Sequence, residues 1–300
     1  NKHFGHHIDK VDQGATPDFE LVYWDIRFSN QCNLKCRSCG PMFSSLWYDD
    51  HVKLHGVKPN HKRIEWAGRN KNDMWEQMIP HIDHIEQIYF AGGEPLIMQE
   101  HYNILKELVK RERFDVKLIY NTNFNETLYK DLDVLDYWGM FDSVSIGASL
   151  DASGDRAELM RSGCDWNKIT NNRERMLEKC PDVDFYISPT VSLMNVIHVP
   201  DFHRDWVERG LLKAQDLNVN ILQSPDWYRV DCLPEDIKKD VTAKLEAHIA
   251  WLEPQDHLQR ATNGFKSTIG FMNSQDNTQN LGKFNSVTAQ LDAVRTEQFY

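Results

Sequence analysis

The sequence predicts an α/β fold: an open, partial (βα)6 barrel followed by a mostly helical C-terminal extension. Three observations predict it. Up to residue 225, short β-branched or aromatic runs alternate with longer stretches of helical period, the rhythm of strand and crossover helix. The strand runs number six, too few for a closed eight-stranded barrel and too regular for an unrelated mixed sheet. Past Pro225 the strand runs stop and helical patterns take over.

In chain order, the expected strands are Leu21–Phe28, Ile85–Phe90, Val116–Asn121, Ser143–Leu150, Asp184–Val191 and Leu217–Leu222. Between and after them lie expected helices at Ser44–His55, Asp73–His84, Glu100–Arg111, Thr127–Trp138, Trp166–Lys179 and Pro200–Glu208. Crossovers of that length imply parallel neighbours. In the extension, Pro234, Glu235 and Asp236 form a helix-start signature, and an amphipathic stretch runs on to Trp251. The polar stretch Asn273–Asn285 reads as a loop before a last helix. The expected division is a tail over 1–19, a barrel over 20–225 and an extension over 226–300. The chain opens at Asn1 and stops at Tyr300, and both ends read as cut from something longer.

The composition narrows the function. A formal net charge of -11 argues against a general nucleic-acid binder, which needs a basic face. It mildly favours a cationic or peptidic partner over a polyphosphate. No apolar run approaches the ~18 residues of a membrane helix, and residues 1–10 lack the apolar core of a signal peptide, so a cytoplasmic protein is expected. Of six cysteines, Cys164, Cys180 and Cys232 stand alone, whereas Cys32, Cys36 and Cys39 fall within eight residues. A disulfide framework would be more evenly spaced; a tight trio in a reducing compartment points to metal or catalysis. His3, His6 and His7 form a second cluster, read as a solvated terminus.

The trio follows the first expected strand, at the carboxyl end where parallel α/β folds collect ligands. Three thiolates in one short loop can wrap one corner of an iron–sulfur cube and leave one iron open. The alternative is a structural zinc site completed by His51 or His55, but no second cysteine knuckle follows. After the second strand comes Gly92-Gly93-Glu94-Pro95. Its glycines let backbone approach a ligand, and its carboxylate can accept hydrogen bonds from an ammonium group. Asn121-Thr122-Asn123 and Ser149-Leu150-Asp151 end the third and fourth strands, and Arg161 follows ten residues after Asp151.

Taken together, Cys-x3-Cys-x2-Cys after the first strand and Gly-Gly-Glu after the second resemble the radical S-adenosylmethionine superfamily, over residues 20–225. The resemblance implies a TIM-like partial barrel. It also implies a 4Fe-4S cluster on Cys32, Cys36 and Cys39 that cleaves S-adenosylmethionine reductively, so that a 5′-deoxyadenosyl radical abstracts substrate hydrogen. By the same resemblance, Gly92, Gly93 and Glu94 grip the methionine amino group, and Asn121 and Asn123 stand near the cofactor. Ser149 and Asp151 contact its ribose side, Arg161 pairs with its carboxylate, and Ser188 and Asn195 are further candidates. One departure is Ser38, where the superfamily usually has an aromatic residue.

Gly-Gly-Glu-Pro, Ser-Leu-Asp and Val191-Ser-Leu-Met-Asn195 look most like the branch that carries SPASM or twitch extensions, whose members commonly modify peptides. Those extensions bind auxiliary clusters, yet Cys232 is the one cysteine after the barrel, so any such cluster is expected outside these residues. Three readings remain: a peptide- or protein-modifying radical enzyme, a radical enzyme acting on a small molecule such as a nucleotide or sugar, and a non-enzymatic zinc-stabilised module. The enzyme readings require an electron donor such as flavodoxin or ferredoxin. No catalytic residue is assigned.

Overall fold

A computed structural model describes residues 4–7 and 20–299 of the chain. The rest of the expected tail, His3 included, lies outside the described residues. Strands β1 (Tyr23–Ile26), β2 (Gln87–Phe90), β3 (Lys117–Thr122), β4 (Val144–Ala148) and β5 (Asp184–Ile187) form one sheet in that order, every pair parallel. The register aligns Ile26, Phe90, Tyr120, Ile146 and Phe185 in one lateral row, and all five are buried. A second row of Trp24, Ile88, Leu118 and Val144 lies on the same buried face. The alternate residues Asp25, Tyr89, Ile119 and Ser145 are half-buried or exposed, so the other face of the sheet is only partly covered.

The sixth expected strand runs beside the fifth as two fragments. Leu217 bridges Ile187 in parallel, and Asn220–Ile221 pairs in parallel with Thr190–Val191. Pro189 lies at the break in the expected strand 184–191; lacking an N–H, it contributes only its carbonyl, which accepts from the Asn220 amide at 3.0 Å.

The helices are α1 (Trp47–His55), α2 (Asp73–Met78), α3 (Gln99–Lys110), α4 (Val134–Trp138), α5 (Gly154–Met160), α6 (Trp166–Lys179) and α7 (Val199–Glu208), then α8 (Glu235–Leu252), α9 (Arg260–Met272) and α10 (Leu281–Arg295). Helix α3 shows why the crossovers form: Tyr102, Leu105 and Leu108 recur at helical spacing and are buried. The expected helix Thr127–Trp138 is corrected. Leu128–Tyr129 and Leu132–Asp133 pair antiparallel around Lys130, whose φ of 57° breaks a helix, and only Val134–Trp138 is helical. The stretch 73–84 divides at Pro80 into α2 and a 3-10 turn. The expected loop 273–285 is shorter, because α10 starts at Leu281; α5 and α9 were not anticipated. Among the described residues no helix is long and apolar enough to cross a membrane.

Candidate functional site

The cysteine loop leaves the carboxyl end of β1 and is pinned along its length. The Asn30 amide donates to the carbonyls of Pro41 and Arg63, at 3.0 and 3.1 Å, and accepts from the Glu65 amide at 2.9 Å. Ser44 Oγ donates to the Leu34 carbonyl at 2.7 Å. Lys35 and Cys36 pair antiparallel with Ser162 and Arg161, and the Trp47 indole donates to the Cys36 carbonyl at 2.8 Å. Arg161 Nη1 lies 3.6 Å from Cys36 Sγ, and the Asn123 amide 4.0 Å from Cys32 Sγ.

Burial pushes the Cys32 thiol up to about 12, with Cys36 and Glu94 adding to it, and the Cys39 thiol up to about 11. Cys36 is raised too, by burial that outweighs Arg161. Such thiols resist ionising alone and need a cation to take up their charge. Among the described residues the three sulfurs do not all lie within 4.8 Å of one another, and no histidine joins them in such a set; the one set that close, His6, His7 and Glu86, contains no cysteine. Zinc–sulfur bonds of about 2.3 Å in a tetrahedron would place sulfurs ~3.8 Å apart. His51 and His55 instead lie against each other, ring centroids 4.5 Å apart. A donor set of three thiols on one loop fits a multi-iron cluster.

The Gly92-Gly93 turn packs on this loop. Gly93 N donates to the Ser29 carbonyl at 3.1 Å and Glu94 N to the Gln31 carbonyl at 2.8 Å. Gly92 has φ +102°, and a β-carbon on Gly93 would stand 2.0 Å from the Gln31 oxygen. Glu94 is buried and its carboxylate accepts three protein hydrogen bonds: Oε1 from Thr122 Oγ1 at 2.7 Å and Leu96 N at 3.1 Å, Oε2 from Asn123 N at 2.7 Å. Burial pushes its pKa up to about 7 against those bonds. Asn123 Nδ2 donates to Asn33 Oδ1 at 2.8 Å, tying the end of β3 to the cysteine loop.

Asp151 and Arg161 form a two-pronged ion pair at 2.8 and 3.0 Å, and Asp151 also accepts from the Thr190 amide at 2.8 Å. Burial works against the Arg161 charge, but Asp151 and Cys36 more than restore it, so its pKa is raised. The Asn195 amide donates to the carbonyls of Asp151 and Thr190, at 2.8 and 3.1 Å. Ser188 Oγ accepts from the Asn220 amide at 2.8 Å, away from the cysteines.

A cavity of about 260 Å³ sits among these elements. Its walls include Cys32, Cys36, Cys39, Gly92, Gly93, Asn121, Asn123, Ser149 and Arg161. Glu94 and Asp151 stand behind the wall: Glu94 holds Thr122 and Asn123, and Asp151 holds Arg161. Arg27 and Phe43 also line the cavity and were not singled out from the sequence. Phe43 is 71% exposed, four residues past Cys39. An aromatic so close to a loop that lacks one at Ser38 was the available signal.

No protein-family model and no curated protein matches the sequence. Solved structures do. Hexahistidine-tagged anSMEcpe with bound AdoMet matches at TM-score 0.52 and 18% identity, over 78% of this chain and 60% of its own. Native anSMEcpe with bound AdoMet and Kp18Cys peptide matches at TM-score 0.50 and 18% identity, over 77% and 59%. This chain shares their fold. It spans about three fifths of the length of those structures.

Proposed function

We propose that this protein is a radical S-adenosylmethionine enzyme acting on a peptide or protein. It is built as a partial (βα)6 barrel with a C-terminal helical extension, related to the SPASM and twitch branch, and works in the cytoplasm with a flavodoxin- or ferredoxin-like electron donor. One observation carries the reading: three thiols, a Gly-Gly turn and a guanidinium converge on one cavity at the carboxyl ends of a parallel sheet.

Cys32, Cys36 and Cys39 would hold a 4Fe-4S cluster with one iron left open for S-adenosylmethionine. When bound, the pair supplies reductive cleavage of the sulfonium and a 5′-deoxyadenosyl radical that takes hydrogen from substrate. Arg161 sets a positive charge beside Cys36 and, fixed by Asp151, keeps one face of its guanidinium for the cofactor carboxylate. Gly92 and Gly93 bring bare backbone to the wall, and Glu94 orients Thr122 and Asn123 while retaining acceptor capacity for an ammonium group. Asn121 and Ser149 offer polar groups for the ribose.

The peptide reading is supported by a second, larger recess of about 720 Å³ beside Cys39, walled by Met42, Phe43, Pro59 and Trp227. It is also supported by the peptide bound to anSMEcpe. The test is anaerobic reconstitution, assay of iron and sulfide, and detection of 5′-deoxyadenosine on reduction, alone and with candidate peptides. Wild type should carry one cluster, and changing Cys32, Cys36 and Cys39 together to alanine should abolish it. Zinc without iron in anaerobically handled protein would overturn the reading. Formation of 5′-deoxyadenosine coupled to a nucleotide or sugar and to no peptide would replace its substrate class.

A further inference from the structure

We propose that α10 is a brace for the cysteine loop, and that Arg37 and Arg295 are its positioning residues. Arg37 lies between Cys36 and Cys39, and its side chain is fully buried. It pairs with Asp292 on α10 and with Glu297 just beyond it, the latter at 2.7 Å, and its Nε donates to the Leu159 carbonyl at 3.1 Å. Arg295 runs the opposite way, from α10 into the loop. With its side chain 1% exposed, it donates to Asp50 at 2.8 Å and to the Lys35 carbonyl at 2.8 Å. Its guanidinium lies 4.5 Å over the Trp47 ring, whose indole holds the Cys36 carbonyl. The two carbonyls that set the path into Cys36 are therefore both bound by this assembly.

Two buried arginines, crossed between loop and helix in three ion pairs that span some 250 residues of sequence, are a poor device for stability. Desolvating the charges offsets most of the attraction, and what such pairs supply best is register. Arg37 Nη1 and Arg295 Nη2 also remain buried without a hydrogen-bond partner, a further cost. Register is what a cluster site needs, since three sulfurs must be spaced before metal arrives. The inference rests on the proposed cluster chemistry for its purpose, though the brace itself is a property of the protein alone.

The experiment uses the full chain with Asp292→Asn and Glu297→Gln combined, Arg295→Gln, and Asp240→Asn on the exposed face of α8 as control. In iron-free protein, hydrogen exchange at amides 35–40 should speed up about tenfold in the first two variants, while β3 amides stay as in wild type. After reconstitution, the same variants should lose iron to a chelator about tenfold faster and show a shifted electron paramagnetic resonance spectrum of the reduced cluster. Arg37→Lys, which keeps a charge toward Asp292 and Glu297 but loses the bond to Leu159, should fall between wild type and the double variant in both. Unchanged exchange at 35–40, or an equal rise in β3 that marks global destabilisation, would overturn the brace. If wild type takes up no iron, the enzyme reading fails and the exchange arm still decides the brace.

Discussion

Gly93 has no room for a β-carbon. The atom it would meet is the Gln31 carbonyl oxygen, backbone that cannot swing aside, and Gln31 directly precedes Cys32. Gly93→Ala should therefore cost about 2 kcal/mol or more in a denaturation curve and reduce iron uptake in the same preparation. Retained stability would mean that the two loops separate freely. At Glu94 the sequence suggested a group facing a ligand, and the structure places a buried carboxylate with three protein donors. Glu94→Gln keeps the shape but turns one acceptor into a donor. S-adenosylmethionine affinity, read by calorimetry, should fall about tenfold or more with iron content unchanged. An unchanged affinity would leave Glu94 as a clasp for Thr122 and Asn123 alone.

Among elements, the staple between the end of β4 and the Cys36–Arg161 pair is the most exacting. Asp151 is buried and Arg161 nearly so, and removing one leaves the other charge largely uncompensated. Asp151→Asn should cost about 3 kcal/mol by urea titration, more than an exposed pair such as Arg63 with Asp49. A loss under 1 kcal/mol would show that Arg161 finds another partner. The five sheet strands were legible because each is a short apolar run of period two between turn residues. The stretch 127–138 was misread as helix because its apolar spacing fits a helix up to the point where Lys130 adopts φ 57°. Local period carries no warning of that turn.

At the scale of the whole molecule, three buried histidines dominate the response to acid. Burial pushes His101 down to about 3, His203 to about 4, and His248 to about 3 with His203 adding to it. Unfolded histidine titrates near 6.5, so between pH 6.5 and about 4 the unfolded chain binds protons that the folded one refuses, and stability falls on acidification. Glu94 opposes this: raised to about 7, it is protonated in the folded chain first, and stability is regained as pH falls from 7 to 4.5. The histidines outnumber the carboxyl, so the net effect is a loss of stability as pH falls from 6.5 to 4.5. The urea midpoint should be lower at pH 5.5 than at pH 7.5, and His101→Phe, among the rings of Phe90, Tyr102 and Tyr120, should shrink the difference. Equal midpoints would refute the account.

Spacing along the chain determined that three thiols share one short loop after the first strand. Cys32 and Cys39 are seven residues apart, a separation of at most ~25 Å in extended chain, so the spacing keeps the thiols on one loop while the loop's folding sets how close they come. It likewise determined that parallel strands deliver that loop and the Gly-Gly turn to one edge, because both follow strand runs directly. Which way Glu94 and Asp151 turn, and which distant residues secure the loop, only the tertiary structure decided. The partners of Arg37 lie 255 and 260 residues away, and Arg295 reaches Asp50 across 245. Pairings at that range depend on how the chain closes on itself, and no local period of residues encodes them.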